Sequence, residues 1–436
     1  MQIKGIHGYM AKVTIVFLLF HFLCFLPLNI VAQDSLYTYI QVALRENPEV
    51  MARWHAYEAA VEAVCPAGTL GDPELQLNFY PKPMTQVMGR QVLSVSLMQM
   101  FPWFGAMKAA KHEKAWQAET VWQRYREGGI QLAYDVEQLW YRLLVTREKL
   151  CTTRQHQRLL RDIQKTAIYK YKTSTSGMMG TRMSDQYRLQ AEMLKVEEQA
   201  ESLEALLQTQ QQQFNLLLHR DPLSPLVLPD SIVLAEMPIV EWVEIERRHP
   251  DLLALQAQAR QADAQGEKAR RMGLPMVGVG VQYMLNKERA DGMAMGDMQG
   301  DNGMDMWMGM LKVTLPIYRH KIKAQRRAAE LMRQTADENY LRRIDMLRSQ
   351  LLSIGQQADD VKRKMTLYRR DMDLLGETLR LMVTEYANGT TTLTDILQTE
   401  REQLNYAFSH AETRAQYNMV VAEFEKLASI QDYSKR

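Results

Sequence analysis

The 436-residue sequence predicts a mainly α-helical protein with a small β part, in which one series of elements occurs twice. Two segments alternate between apolar and polar or small residues with a period of two, which is typical of β-hairpins. Two much longer segments, residues 106–171 and 318–386, contain no proline and are expected to be very long helices. The predicted order in each of two internal repeats is helix, β-hairpin, very long helix and return helix.

The first repeat is predicted to span residues 33–230. Its predicted parts are a helix from Ser35, a hairpin at about 74–101, and long helices at about 106–171 and 184–219. At ~1.5 Å per residue, the first long helix would extend on the order of 100 Å, which is far more than a globular domain needs. A Ser/Thr/Gly segment at 173–180 forms the turn between the two long helices.

The first hairpin is predicted from the apolar residues Leu75, Leu77 and Phe79, which alternate with polar neighbours. The returning strand alternates in the same way through Leu93 and Val95. Residues 81–90 contain two prolines and are expected to form the connecting loop.

The second repeat is predicted to span residues 231–436. Its predicted parts are a hairpin at about 275–317 and long helices at about 318–386 and 394–430. The phrase His249-Pro250-Asp251 corresponds to Asn47-Pro48-Glu49 in the first repeat, and a turn at 388–392 corresponds to 173–180. The matching order of phrases indicates an internal duplication.

The second hairpin has one apolar face and one polar or small face. Its outer positions on the first strand are Val277, Val279, Val281 and Tyr283, and they oppose Gly278, Gly280 and Gln282. A hairpin between very long helices has no soluble core against which to bury an apolar face, so lipid is the expected environment. Four strands cannot close a barrel and open edges are not tolerated in lipid, so closure would require several copies of the chain.

Residues 1–32 are predicted to be a secretory signal peptide. Positive residues such as Lys4 and Lys12 precede an apolar run, and small residues before Gln33 offer a cleavage site. An uncleaved anchor is the alternative, and a lipoprotein modified at Cys24 is disfavoured because His21-Phe22-Leu23 lacks small residues. Cys65 and Cys151 could pair or remain free.

The composition argues against several classes of function. Lys and Arg number 53 and Asp and Glu number 51, so no strong field indicates nucleic-acid binding. The sequence has no phosphate-binding loop, nucleophile elbow or HExxH motif, so we expect a passive protein that is not an enzyme and uses no cofactor.

The whole predicted mature chain resembles the TolC-like outer-membrane efflux protein family. The resemblance rests on the duplicated layout and on phrases that occur in order: Asn47-Pro48-Glu49, Gly71-Asp72-Pro73-Glu74-Leu75, Leu315-Pro316-Ile317-Tyr318, and Tyr386-Ala387-Asn388-Gly389 followed by Asp395.

The resemblance implies a homotrimer in the outer membrane that extends into the periplasm. Each protomer would give four strands to one 12-stranded β-barrel in outer-membrane lipid, and the long helices would form a hollow periplasmic α-helical barrel. The helix tips would dock on a periplasmic adaptor, or membrane fusion, protein. That adaptor would connect to an inner-membrane pump, expected to be of the resistance-nodulation-division type.

Methionines crowd one segment of the second hairpin. Thioethers are soft ligands that select Cu(I) or Ag(I), so we predict a weak multi-site path for these ions along Met304, Met306, Met308, Met310, Met293, Met295 and Met298. The pattern would then resemble the copper/silver branch of the family. The alternative is an ordinary flexible apolar loop, since the chain has 29 methionines and others, such as Met98 and Met100, lie elsewhere.

The two turns between long helices are candidate adaptor contacts and channel constrictions. Their candidate residues are Gly177, Asp185, Gly389 and Asp395. Three copies of an aspartate near a constriction would favour cations. Alternatively, each aspartate only begins its return helix, where a carboxylate suits the helix dipole.

The function predicted from the sequence is therefore the outer-membrane channel of a tripartite efflux system, with Cu(I) and Ag(I) as candidate substrates. Multidrug efflux and a conduit for type I protein secretion remain open as alternatives. A periplasmic coiled coil without a channel is a further class.

Overall fold

The computed structural model describes residues 36–86, 89–173, 183–288, 303–388 and 390–430. Over these ranges the chain is mainly helical with one small sheet, as predicted. The predicted signal peptide at 1–32 lies outside the described residues. The elements in chain order are α1 Leu36–Glu46, α2 Pro48–Glu62, α3 Val64–Ala67, β1 Glu74–Gln86, β2 Gly89–Phe101, α4 Ala106–Thr173, α5 Met183–Leu217, α6 Trp242–Arg248, α7 Pro250–Met272, β3 Met276–Lys287, β4 Met306–Thr314, α8 Arg319–Asn388 and α9 Leu393–Ala428.

The segments Asn47-Pro48-Glu49 and His249-Pro250-Asp251 begin helices α2 and α7 in the same way. Asn47 is extended and its side chain accepts a hydrogen bond from Glu49 N at 2.9 Å, while Pro48 occupies the first turn of α2. His249 is extended in the same way, and its Nδ1 accepts from Asp251 N at 3.2 Å ahead of Pro250 in α7. Burial lowers the pKa of His249 to about 4, which keeps the imidazole neutral and able to accept this bond.

The long helices dominate the molecule. α4 has 68 residues and α8 has 70, and each is followed by a helix of about half that length, α5 with 35 residues and α9 with 36. α4 packs on α5, α7 and α9, and α8 packs on α7 and α9. The two halves have the same order of long elements, and the internal duplication stays a prediction that this order favours.

The cores of the helical part are narrow clusters between helices. One of them holds three aromatic rings from α1, α4 and α5, where Tyr39 lies 5.5 Å from Trp140 and 5.4 Å from Phe214 between ring centroids. These rings are each at most 4 % exposed and fix the short α1 against the long pair. No helix in the described ranges combines the length and apolar character that crossing a bilayer would need.

The sheet has four antiparallel strands in the order β1-β2-β3-β4. The first hairpin differs from the expected loop at 81–90, because β1 continues to Gln86 and β2 begins at Gly89. The register shifts between Phe79 and Met84, so Pro81 and Pro83 fall in an irregularity of the pairing, where their missing N–H groups leave no ladder bond to β2 unmade.

Candidate functional site

The sheet exposes its apolar face. Apolar side chains on this face are exposed on every strand: Leu77 is 63 % exposed on β1, Leu97 47 % on β2, Val279 53 % on β3 and Leu311 74 % on β4. On the opposite face Ser94 is 1 % exposed and Ser96 8 %. This arrangement inverts the usual one, in which a sheet buries its apolar face and exposes its polar face.

Exposed aromatic side chains lie at both ends of the strands. Trp103, Phe104 and Tyr318 are 42 %, 86 % and 74 % exposed where the strands meet the long helices. At the other end Trp307 is 70 % exposed and its ring lies 4.8 Å from that of Tyr283. Tryptophan and tyrosine favour the interfaces between lipid and water, so two such bands suit a sheet that crosses a bilayer.

Asp305 joins the two strands of the second hairpin. Its carboxylate accepts a hydrogen bond from the Tyr283 hydroxyl and another from Asn286 N at 3.2 Å. Asn286 Nδ2 also donates to Met304 O at 2.9 Å. Asp305 therefore holds the start of β4 on the end of β3, a role that its place among the methionines and glycines of the sequence did not indicate.

The described methionines of the predicted path share the face of the sheet that lies opposite its exposed apolar face. We call this the inner face. Met306, Met308 and Met310 pair with Met284, Gln282 and Gly280 of β3, and Met304 lies two residues before the start of β4. The other three predicted ligands, Met293, Met295 and Met298, lie outside the described residues. Among the described residues no three His, Cys, Asp or Glu side chains form a group that could hold a metal ion. Thioethers are thus the soft-ligand candidates in this sheet.

Three further methionines belong to this face. The β2–β3 register sets Met98 opposite Gly280 and Met100 opposite Gly278, and Met284 pairs with Met306. Met98 and Met100 are separated from β4 by about 200 residues of sequence, so no local spacing could associate them. The strand pairing alone brings the two groups together.

Asp395 forms a reciprocal capping pair with Thr392, the N-cap residue of α9. Thr392 Oγ1 accepts a hydrogen bond from Asp395 N at 3.3 Å and donates to Asp395 Oδ2 at 2.6 Å, at the start of α9. Asp185 lies in the first turn of α5. Arg188 of α5 donates to Thr394 of α9 at 2.9 Å, so the two helix starts lie side by side. The predicted tip glycines, Gly177 and Gly389, lie outside the described residues.

A buried hydrogen-bonded pair, His156 and Glu400, ties α4 to α9 within the helical part. His156 Nδ1 lies 2.7 Å from Glu400 Oε1, and Glu400 is 0 % exposed. Its second oxygen has no hydrogen-bond partner among the described residues. Arg401, the residue after Glu400, donates two hydrogen bonds to the carboxylate of Glu192 on α5 in a bidentate contact. These hydrogen bonds raise the pKa of Arg401. His156 and Glu400 are 244 residues apart in sequence, and Glu192 and Arg401 are 209 apart. Nothing in the sequence pattern associated the members of either pair.

The comparisons with known proteins agree with this geometry. Residues 243–428 match the family model described as outer membrane efflux protein. No curated protein matches the sequence.

Among solved structures, the chain is similar to the CusC channel, with a TM-score of 0.73 and 15% identity over 91% of this chain and 92% of that one. It is also similar to the outer membrane protein VceC from Vibrio cholerae, with a TM-score of 0.69 and 15% identity over 90% of this chain and 96% of that one. A third similar structure is the Neisseria gonorrhoeae MtrE outer membrane channel in its open state, with a TM-score of 0.68 and 15% identity over 90% of this chain and 88% of that one. At this identity the structures establish the fold. Over nine-tenths of its length the chain has the fold of these outer-membrane channels, and its residues 243–428 match the outer membrane efflux protein family model.

Proposed function

We propose that the protein is the passive outer-membrane exit duct of an efflux system and not an enzyme. The observation that carries the proposal is the inverted sheet, whose apolar face is exposed and whose polar and small side chains lie inside. In water such a sheet would expose a large apolar patch, whereas in a bilayer the same face meets lipid. The outer membrane supplies that lipid, and the long helices would reach into the periplasm.

Three copies of the chain would close the duct. β1 and β4 are the edges of the sheet, and in lipid each edge needs a partner strand. Pairing β4 of one copy with β1 of the next supplies it and gives the twelve-stranded barrel. On α8 the exposed side chains Leu367, Leu374 and Leu381 recur every seven residues at 53 %, 68 % and 60 % exposure. This heptad stripe suits packing against a helix of a second copy.

The adjacent starts of α5 and α9 would face the partners in the periplasm. In the proposed system, a periplasmic adaptor protein contacts this end and connects the duct to an inner-membrane pump that supplies the energy. Asp395 keeps its capping role, and three copies of it near the axis would favour cations. The ion preference of single channels in a planar bilayer tests this point, and an anion-preferring channel would contradict it.

For the substrate, we favour soft monovalent cations, Cu(I) or Ag(I). The support is the run of inward thioethers at Met306, Met308 and Met310, preceded by Met304. Drug efflux through the same duct is the alternative, and it would need none of these methionines.

Replacing Met304, Met306, Met308 and Met310 by leucine should lower copper and silver tolerance severalfold in a strain that depends on this protein. Leucine keeps volume and apolar character but removes the sulfur ligand. Survival across graded copper and silver measures the effect, with a drug panel beside it. A matched control carries Met332→Leu and Met346→Leu, since both methionines are exposed on α8. Unchanged metal tolerance at normal protein levels would rule out the metal path and leave drug efflux.

A further inference from the structure

The inner face of the sheet carries methionine in four successive rows of paired residues. Starting from the end next to the helices, the rows are Met100-Gly278-Lys312, Met98-Gly280-Met310, Ser96-Gln282-Met308 and Ser94-Met284-Met306. Consecutive rows lie ~7 Å apart along the strands. Every row therefore offers at least one thioether, and the two rows nearest the helices offer three.

The two rows nearest the helices bring their thioethers together over glycine. A Cβ atom on Gly278 would lie 2.5 Å from Met100 Sδ and 3.5 Å from Met98 Sδ, which bounds the separation of the two sulfur atoms at about 6 Å. A Cβ atom on Gly280 would lie 3.3 Å from Met310 Cε. Since glycine has no side chain, the long methionine side chains of β2 and β4 can converge from both sides above β3. Unbranched thioethers adapt their rotamers easily, so small movements can bring the sulfurs within reach of one ion.

We propose that Met98, Met100 and Met310 form a binding site for a soft monovalent cation, Cu(I) or Ag(I), above Gly278 and Gly280. Thioethers are uncharged soft ligands that prefer these ions to harder ones. The charges beside the site oppose each other: Glu74 pairs with Met98, and Lys312 pairs with Gly278 on the other side. Preference for these ions therefore rests on the soft thioether ligands.

The position of the site suggests its place in transport. It lies where the strands join the long helices, and Met308, Met306 and Met284 continue the series toward the other end of the sheet. An ion that leaves the helical part would meet the three-thioether site first, then the thioether of Met308, and then those of Met284 and Met306. Weak binding at several sites in a row is compatible with conduction. This assignment of direction rests on the proposed function, whereas binding itself does not.

Silver binding to the purified full-length protein in detergent tests the site. The background should have all three cysteines replaced by serine, because Cys65 and Cys151 are exposed and thiolates would bind silver themselves. In this background we expect calorimetric titration with Ag(I) to give a site that X-ray absorption shows to be sulfur-ligated. In Met98→Leu/Met100→Leu/Met310→Leu we expect the affinity to fall about tenfold or more and the number of sulfur ligands around the ion to fall.

Two further variants keep the test decisive. Met332→Leu/Met346→Leu removes two exposed methionines of α8 and should bind silver as the parent does. Should the triple variant fail to assemble, the single variant Met100→Leu should still weaken binding. Equal silver affinity in the parent and the site variants would overturn the inference. A channel that fractionates with the outer membrane and conducts ions but binds no silver would overturn the site alone, whereas a protein absent from the outer membrane would overturn the proposed function.

Discussion

Val279→Arg should prevent the protein from accumulating in the outer membrane, while Gln282→Arg on the same strand should not. Val279 is 53 % exposed on the apolar face in the first third of β3, and Gln282 lies on the opposite face between Ser96 and Met308. An arginine on the lipid face costs up to about 2–4 kcal/mol, with the largest cost at the bilayer midplane, and a trimer would carry three of them. An arginine on the inner face remains in water and costs far less.

The measurement is the amount of each variant in the outer-membrane fraction, together with its heat-modifiable migration on gels. Gln282→Arg is the matched control because it introduces the same side chain on the same strand three residues away. Equal accumulation of the two variants would show that the exposed face does not meet lipid.

His156→Ala should destabilise the helical part more than the loss of any surface ion pair. The substitution leaves Glu400 buried without its partner, and breaking a buried pair in this way costs about 3–5 kcal/mol. Adding Glu400→Gln should restore part of the loss, because a neutral amide no longer leaves an uncompensated charge. The midpoint of thermal unfolding, followed by helical circular dichroism of the purified protein, measures both effects.

Arg154→Ala provides the control for this prediction. Arg154 lies two residues before His156 on α4 and pairs with Glu204, but their side chains are 54 % and 45 % exposed. Exposed pairs contribute about 0–1 kcal/mol, so the midpoint should shift little. A similar shift for Arg154→Ala and His156→Ala would contradict the role assigned to the buried pair.

The sequence was most informative where structure depends on local chemistry. The absence of proline predicted the long helices, and strict alternation through Val277 and Val279 predicted the strands and their faces. The Asn47-Pro48 and His249-Pro250 segments marked two helix starts. It misplaced the turn of the first hairpin, because Pro81 normally ends a strand and is accepted in β1 at an irregularity of the pairing with β2.

The contacts that sequence reasoning missed join distant parts of the chain. His156 meets Glu400 through the packing of α4 on α9, and Met98 joins Met310 only because β2 and β4 both pair with β3. A histidine or methionine in such a position has no periodic partner nearby in the sequence. These contacts become visible only once the pairing of strands and the packing of helices are known.

Disulfide cross-linking between strand edges tests the central claim most directly. In the cysteine-free background, one cysteine replaces Gln76 or Asn78 on β1 and a second replaces Lys312 or Thr314 on β4, which all lie on the inner face. If β4 of one copy pairs with β1 of the next, at least one combination should give a covalent trimer on a non-reducing denaturing gel, with no larger species and a return to monomer on reduction. Monomer in every combination, from protein that is present in the outer membrane, would contradict the closed three-copy duct.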